Sequence, residues 1–278
     1  MNSIRRLIDR ELADYYSPDE RNALAKYIGC DLLGLSLVEY YADKDMILSA
    51  ERQTKLHTII RRLRLYEPLE YIAGSTEFCG LRLQVSPSVL IPRPETSELV
   101  ELIVKQRPAV RRVLDVGTGS GCIAIAIASQ LPQAYVEAWD ISEDALSVAR
   151  TNADSLRVPV TFRHVDVLTE APVCEPFDVI VSNPPYIARS EAAQMAHNVL
   201  DWEPNNALFV PDEDPLLFYR RIGEIGKRLL SANSGALYLE INQRFGHETQ
   251  TLLYRLGYTD VQLLRDMSGN DRFVIAAL

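Results

Sequence analysis

The sequence predicts an α/β protein with a doubly wound, mostly parallel sheet of seven strands, a C-terminal antiparallel hairpin and a small N-terminal helical domain. Three observations predict this arrangement. The first 65 residues contain no strand-like run, whereas beyond about residue 110 short apolar strands alternate with amphipathic helices. The last two predicted strands are joined only by a polar loop, which indicates a closing hairpin.

Residues 1–70 are predicted to form the helical domain. Ser17 and Pro18 have the types preferred at the N-cap and first position of a helix, and this helix is expected to reach Gly29. Apolar residues further along recur at helical spacing with charges between them, at Leu56, Ile59, Ile60 and Leu63. We expect these apolar residues to form the core of a small helix bundle.

Residues 71–92 differ in character and predict a β-hairpin linker. Phe78–Val85 alternates apolar and polar residues. Glycines and prolines interrupt the region at Gly74, Gly80, Pro87, Pro92 and Pro94. Residues 93–278 then form the predicted third region, which carries the sheet.

The strands and helices of the third region follow from their apolar periods. Strands are predicted at Val113–Val116, Tyr135–Trp139, Val160–His164, Phe177–Val181, Gly235–Ile241, Val261–Leu264 and Phe273–Ala276. Helices are predicted at Gly121–Gln130, Glu143–Leu156, Pro215–Leu230 and Gly246–Leu256. Strands alternating with helices favour parallel pairing through right-handed crossovers.

Composition excludes several classes of protein. The four cysteines lie far apart without a Cys-x-x-Cys pair, so we expect no metal site, no disulfide framework and a reducing cytoplasm. No apolar run approaches the length of a membrane span, and we expect no signal peptide at the N-terminus, where charged and apolar residues alternate. A net charge of −9 argues against nonspecific contacts to a nucleic-acid duplex. We therefore expect no membrane, no direct DNA binding and a monomer.

A glycine-rich turn after the first strand of the sheet predicts a nucleoside site. Val113–Gly121 reads as a strand that enters a Gly-x-Gly-x-Gly turn and then a helix, and ligands of such sheets lie beyond the carboxyl ends of the strands. The spacing differs from the dinucleotide fingerprint, and a P-loop lysine is missing. The candidate turn residues are Gly117, Thr118, Gly119, Ser120 and Gly121. This turn alone does not separate a methyl donor from NAD.

Three acidic residues extend this candidate site. Asp140 ends the next strand, 19 residues beyond Gly121, where a carboxylate accepts both hydroxyls of a ribose. Asp166, with its neighbour Val167, follows the third strand and is expected near the adenine amino group. If the nucleoside is a methyl donor with a methionine part, Asp115 is expected either to accept a hydrogen bond from its amino group or to orient the turn.

The loop Asn183–Tyr186 directly follows the fourth strand and supplies the chemical signal. The nitrogen of a substrate's side-chain amide is a poor nucleophile. Asn183 Oδ1 together with the Pro184 carbonyl can accept the two N–H groups of such an amide. Pro185 keeps Pro184 out of helical geometry, which leaves that carbonyl available. Two acceptors orient the nitrogen and stabilise the positive charge that grows on it during methyl transfer. Tyr186 is expected to provide a flat apolar wall.

Together these motifs resemble the bacterial release-factor glutamine N5-methyltransferases, over nearly the whole chain. The motifs that carry the resemblance are Glu77-Phe78, Val85-Ser-Pro87, Leu90–Thr96, Leu114–Gly121, Val181–Ile187, Glu203-Pro204 and Arg265–Arg272. The resemblance implies a class I methyltransferase fold and the cofactor S-adenosyl-L-methionine. It implies peptide chain release factors as partners, methylated at the glutamine of a Gly-Gly-Gln motif.

Family resemblance also assigns residues. It implies that the glycine turn, Asp140 and Asn183 contact the donor and that Asn183–Tyr186 hold the glutamine. Some relatives carry an aromatic residue where this chain has Val167-Leu168, so the adenine contact here is expected to be apolar. Arg93 is expected either to contact the substrate or donor loop, or to be a linker arginine paired with Glu95. Glu203 either orients the Asn183 loop or is a surface carboxylate.

Two other functions fit part of the pattern. The Asn-Pro-Pro-Tyr motif is similar to that of DNA adenine-N6 methyltransferases, which need a basic groove and flip their target base. The chain is acidic and its only additional segment is a short helical region, which disfavours this alternative. A noncatalytic adenosyl-binding or scaffold protein would be expected to lack residues of the Asn-Pro-Pro-Tyr motif or of the glycine turn. Both motifs are intact in this sequence.

Overall fold

The computed structural model describes residues 3–42, 48–170, 172–232 and 234–278. The chain divides into two compact units. The first unit comprises residues 1–73 and 197–202, and the second comprises residues 74–196 and 203–278. The β-hairpin thus belongs to the second unit, and residues 197–202, which the sequence did not link to the N-terminal helices, belong to the first.

The described elements are numbered in chain order. The helices are α1 (Ser3–Glu11), α2 (Pro18–Tyr27), α3 (Leu37–Ala42), α4 (Ala50–Leu63), α5 (Leu69–Ala73), α6 (Pro94–Gln106), α7 (Cys122–Gln130), α8 (Glu143–Leu156), α9 (His197–Leu200), α10 (Asn205–Leu208), α11 (Leu217–Leu229) and α12 (Gly246–Arg255). The strands are β1 (Ser75–Phe78), β2 (Leu81–Gln84), β3 (Arg112–Val116), β4 (Tyr135–Asp140), β5 (Thr161–His164), β6 (Val179–Ser182), β7 (Ile187–Ala188), β8 (Phe209–Val210), β9 (Ala236–Glu240), β10 (Asp260–Arg265) and β11 (Asp271–Ala277). A π-helical turn spans Ile28–Leu32, and 3-10 turns span Arg189–Gln194 and Gln243–Phe245.

The first unit is a helix bundle with its own apolar core. Ser17 caps α2 as predicted: its hydroxyl accepts the Glu20 N–H, and the Glu20 carboxylate accepts the Ser17 N–H at 2.8 Å. The predicted end of this helix at Gly29 falls inside the π-helical turn that follows α2. The apolar core of the first unit includes Ile4, Ile8, Leu12, Ala25, Ile28, Leu56, Ile59, Ile60 and Leu63.

The second unit is built on a seven-stranded sheet in the order β10-β11-β9-β6-β3-β4-β5. Strands β9, β6, β3, β4 and β5 are parallel, while β11 is antiparallel to β9 and to β10. The predicted doubly wound sheet with a closing hairpin is therefore confirmed. One apolar core packs α6 and α7 on one face, and another packs α11 and α12 on the other face.

Some limits and elements differ from the sequence prediction. Helix α6 was not predicted, because Pro94 was taken as a breaker although proline at N1 suits a helix start. Strand β6 begins at Val179, since Phe177 forms only an isolated bridge with Leu230 and the Asp178 carboxylate accepts backbone N–H groups. The short parallel pair β7 and β8 was also missed, because two-residue strands leave no periodic pattern.

The register of the parallel strands places their ends at one level. Val116 lies beside Trp139 and Ser182, and Ser182 lies beside Leu239. The residues that follow these positions are Gly117, Asp140, Asn183 and Glu240. The chain leaves β3 for β4 on one side and returns to β6 on the other, so a topological switch point lies between β3 and β6. A ligand crevice is expected there.

Candidate active site

The turn between β3 and α7 relies on glycines at left-handed backbone positions. Gly117, Gly119 and Gly121 have φ values of 73°, 54° and 82°. A Cβ on Gly121 would lie 2.9 Å from Ile125 Cδ1 and 3.1 Å from Ala149 Cβ, so this glycine also lets the turn pack on two helices. Beside Gly117 and Gly119 a Cβ would meet nothing within 4 Å, so the backbone borders open space there.

Asp115 lies beneath the turn and is fully buried. Its Oδ2 accepts the Thr118 hydroxyl at 2.6 Å and the Ala124 N–H at 3.2 Å. Among the described residues, Oδ1 has no hydrogen-bond partner. Burial raises the pKa of Asp115 to about 7, although these hydrogen bonds act in the opposite direction. These contacts support its expected role as an orienter of the turn.

The stability of the free protein should fall as pH rises through the range in which Asp115 ionises. The pKa of Asp115 is about 7 in the fold against the ordinary aspartate value of 3.8, so the native state binds more protons between these values. Stability present below pH 3.8 is lost as pH approaches 7, by on the order of 4 kcal/mol. We expect Asp115→Asn to flatten this loss in denaturant titrations across that range. Exposed Asp144→Asn is the control and should show the same pH dependence as wild type. If the free energy of unfolding of Asp115→Asn also falls with pH as in wild type, Asp115 is not the group responsible.

The Asp140 carboxylate lies at the end of β4 and lines the cavity of the second unit. Its Oδ2 accepts the Gly119 N–H at 2.8 Å, and its Oδ1 accepts the Ser142 N–H at 2.9 Å. Burial raises its pKa despite these bonds. Each oxygen retains a further lone pair, so the carboxylate is held in place and can still accept hydroxyl groups.

Asp166 and Val167 line another part of the cavity. Asp166 Oδ1 accepts the Leu168 N–H, and its Oδ2 accepts the Thr169 hydroxyl, each at 3.0 Å. These bonds shape the loop after β5. Phe218 and Ile222 of α11 add apolar surface to the same cavity. They stand four residues apart on one helix face, a spacing that the sequence showed but that by itself indicates only a core.

The Asn183 loop also borders the cavity, which Asn183, Pro184 and Pro185 line. Asn183 Nδ2 donates to Thr96 Oγ1 at 3.2 Å. In the part of the chain that the structure describes, no loop or side-chain hydrogen bond reaches the Pro184 carbonyl. The two acceptors expected from the sequence therefore lie on a loop that borders the cavity.

Tyr186 occupies a different place from the one expected. It is not among the cavity-lining residues, and its hydroxyl donates to Glu240 Oε1 at 3.5 Å. Its carbonyl accepts the Asn242 side-chain N–H at 3.2 Å. Burial is the largest cause that raises the pKa of Tyr186, and the nearby Glu240 adds to it. The structure thus gives Tyr186 contacts that fix the end of the loop.

Arg93 and Glu203 form an ion pair that corrects two expectations. Arg93 lines the cavity, but its partner is Glu203 Oε1 at 2.5 Å and not Glu95. Glu203 is only 4% exposed, so its interpretation as a surface carboxylate is wrong. Its Oε2 accepts the Ile91 N–H at 3.2 Å. The pair therefore ties the segment before α6 to the loop before α10.

The cavity gathers most of the predicted site residues and adds others. The predicted residues that line it are Arg93, Gly117, Thr118, Gly119, Ser120, Asp140, Asp166, Val167, Asn183, Pro184 and Pro185. Asp115, Gly121 and Tyr186 lie behind this lining. Sequence reasoning assigned no role to Thr96, to Glu240 or to buried Asn152, whose Nδ2 donates to the Ser120 carbonyl at 2.9 Å. An acidic residue at the end of a buried strand was the available signal for Glu240.

A glycine turn and an Asn-Pro-Pro-Tyr loop on adjacent strands at the switch point define a methyltransferase of the class I fold. Residues 95–206 match the model of the Methyltransferase small domain, and residues 4–74 match that of the PrmC N-terminal domain. A methyltransferase structure from Pyrococcus furiosus has a TM-score of 0.51 at 19% identity, covering 82% of this chain and 98% of the other. That likeness shows the fold alone.

Curated relatives show the family. A Release factor glutamine methyltransferase of Bacteroides thetaiotaomicron is 52% identical over 277 residues, which cover 99% of each chain. One from Flavobacterium psychrophilum is 43% identical over 245 residues, 86% of each chain. The chain belongs to the release factor glutamine methyltransferase family. No helix in the described ranges combines the length and apolar character that crossing a membrane requires.

Proposed function

We propose that this enzyme transfers a methyl group from S-adenosyl-L-methionine to the side-chain nitrogen N5 of the glutamine in the Gly-Gly-Gln motif of release factors. The observation that carries the proposal is the position of Asn183. It lies one residue beyond Ser182, which pairs with Val116 just before the glycine turn, and both segments line one cavity. A nucleoside-type turn and an amide-orienting loop therefore face the same space.

The residues present fit the donor. Open space beside Gly117 and Gly119 lets the donor approach the backbone, and Asp140 presents a fixed carboxylate for ribose hydroxyls. Asp115 lies behind the cavity lining and holds the turn in place through its own hydrogen bonds. Val167, with Phe218 and Ile222, offers an apolar surface for adenine. When bound, S-adenosyl-L-methionine supplies a methyl group on a positively charged sulfur.

The chain's own residues then prepare the glutamine amide. Asn183 Oδ1 and the Pro184 carbonyl accept its two N–H groups, and both orient the nitrogen and stabilise the positive charge that it gains. The nitrogen forms the new bond to the methyl carbon, the sulfur–methyl bond breaks with its electron pair on sulfur, and the nitrogen loses one proton to water. No strong general base is needed, because a methylated, N-protonated amide is acidic.

The first unit is proposed to recognise protein. Its helix α3 exposes Leu37, Val38 and Tyr41, with 74% of Val38 accessible, and exposed apolar side chains of this kind are typical of protein-binding surfaces. Binding energy from such a surface positions a glutamine elsewhere in the substrate. The monomeric state, the cytoplasmic location and the lack of DNA binding stay predictions.

Tandem mass spectrometry of recombinant release factor, incubated with enzyme and donor, tests the function. We expect one added methyl group on the glutamine of the Gly-Gly-Gln motif, and none when that glutamine is replaced by glutamate. A methyl group on another residue, or on adenine in duplex DNA with none on the release factor, would contradict the proposal.

Asp140→Ala should weaken donor binding. The substitution removes the acceptor for two ribose hydroxyls and also frees the Gly119 and Ser142 N–H groups that the carboxylate holds. We expect the dissociation constant for donor, measured by calorimetry, to rise by roughly 5- to 150-fold, about 1–3 kcal/mol. Exposed Asp144→Ala on α8 is the control and should bind normally. An unchanged dissociation constant in Asp140→Ala would place the ribose elsewhere.

A further inference from the structure

Glu240 lies at the end of β9, at the same level as Asn183 on the neighbouring strand, and is 1% exposed. Its two carboxylate oxygens face the two ends of the Asn183–Tyr186 loop. Oε2 accepts the Thr96 hydroxyl at 2.7 Å, and Oε1 accepts the Tyr186 hydroxyl at 3.5 Å. Thr96 Oγ1 in turn accepts Asn183 Nδ2 at 3.2 Å. A continuous chain of hydrogen bonds thus joins Glu240 to the Asn183 amide.

The single proton of a hydroxyl determines the direction of this chain. Because Thr96 donates its proton to the Glu240 carboxylate, its oxygen can only accept from Asn183. Asn183 must then turn its NH2 group toward Thr96, and its Oδ1 points the other way. An ionised carboxylate at position 240 therefore selects one of the two amide orientations.

We propose that Glu240, acting through Thr96, is the positioning residue that fixes the Asn183 amide with its oxygen available to the substrate. This inference rests on the proposed function, in which Asn183 Oδ1 accepts an N–H of glutamine. In the flipped orientation Asn183 would present an N–H to that N–H, and no hydrogen bond could form. Both orientations have nearly the same shape, so packing alone does not distinguish them.

The charge of Glu240 sets this selection. Titratable groups on the surrounding elements interact electrostatically with the Glu240 carboxylate. They are Glu95, Cys122, Tyr186, Tyr219 and Arg272. Burial is the main cause that raises the pKa of Glu240 to about 7, while the hydrogen bond from Thr96 and the Arg272 charge lower it. Arg272 is itself held by Asp266 at 3.0 Å.

Protonation of Glu240 is expected to release the selection. A protonated carboxyl can donate its own proton to Thr96 Oγ1, and the Thr96 hydroxyl proton then becomes free to point toward Asn183. Both amide orientations become possible. The rate of methyl transfer should therefore fall as pH falls through about 7, the pKa of Glu240 in the fold.

Paired threonine substitutions test the inference. Thr96→Val keeps the shape but removes the hydroxyl, and single-turnover methylation of release factor at saturating donor should slow about 10- to 100-fold with the donor dissociation constant unchanged. Thr96→Ser retains the hydroxyl and should restore most of the rate. Thr249→Val is the matched control, because Thr249 is also buried and, within the described residues, its hydroxyl donates to the carbonyl of Phe245, directly before its own helix.

The pH dependence provides a second readout that a structural role would not change. Between about pH 6 and pH 8 the wild-type rate should rise through a midpoint near 7, and Glu240→Gln should be slower with this rise lost. A wild-type rate in Thr96→Val, or an unchanged rise in Glu240→Gln, would overturn the inference. If wild-type enzyme forms no methylglutamine, the proposed function fails instead, so the two failures are distinguishable.

Discussion

Asn183→Ala is expected to slow methylation of release factor by roughly 30- to 1000-fold, equivalent to about 2–4 kcal/mol in the transition state. The substitution removes one of the two acceptors that hold the glutamine N–H groups and leaves a substrate N–H unpaired. Donor affinity should fall less, because the glycine turn and Asp140 remain. The measurement is single-turnover methylation at saturating donor, with circular dichroism to confirm folding.

Asn183→Asp is the companion variant. It keeps an acceptor of the same shape but adds a charge that stabilises the donor's cation before transfer. We therefore expect the rate to stay below that of wild type even where donor binding tightens. It also removes the Nδ2–H that Thr96 accepts at 3.2 Å. Near-wild-type turnover by folded Asn183→Ala enzyme would remove this residue from the mechanism.

Gly121→Ala is expected to have the second large effect, on donor binding and stability together. A side chain at φ 82° is strained, and its Cβ would lie 2.9 Å from Ile125 Cδ1 and 3.1 Å from Ala149 Cβ. Left-handed strain of about 1–2 kcal/mol and overpacking of about 1–3 kcal/mol should add, so the turn shifts and donor affinity falls at least about 10-fold. Calorimetry and thermal unfolding measure the two effects.

Gly80→Ala is the matched control for the turn. Gly80 has φ 74° and lies in the β1–β2 hairpin, but a Cβ there meets nothing within 4 Å. It should therefore show the left-handed strain alone and bind donor normally. Equal stability losses in the two variants, with normal donor binding in both, would show that close packing at Gly121 is unimportant.

Local signals explain why much of the site could be predicted. The glycine turn and the Asn183 loop are each contiguous segments at a strand end, and a parallel sheet brings neighbouring strand ends together. The sequence placed the glycine turn after the first strand of the sheet and the Asn183 loop after the fourth, and these strands are β3 and β6. The predicted seven-stranded sheet is confirmed for the same reason, since each buried strand is a short apolar run.

Contacts between distant segments explain what could not be predicted. Thr96 and Glu240 stand 144 residues apart, and Arg93 and Glu203 stand 110 apart. No periodic pattern links such positions, so the only partner that the sequence suggested for Arg93 was its neighbour Glu95. The contact between Thr96 and Glu240 depends on the register of β9 beside β6 and on the start of α6, a helix that was not predicted.

Tyr186 shows a related limit. An aromatic residue in a motif indicates a flat surface, but it does not say which face of the loop carries the ring. The strand register places Glu240 beside the loop, and the Tyr186 hydroxyl bonds that carboxylate instead of lining the cavity. A buried acceptor on the next strand is a feature of the assembled sheet, and the motif itself does not contain it.

A crystal structure of the enzyme with the demethylated donor and a release factor tests the central claim most directly. Our account predicts the glutamine side-chain nitrogen within hydrogen-bond distance of both Asn183 Oδ1 and the Pro184 carbonyl oxygen, with Asn183 Nδ2 on Thr96. A glutamine nitrogen bound in that complex away from these two oxygens would contradict it.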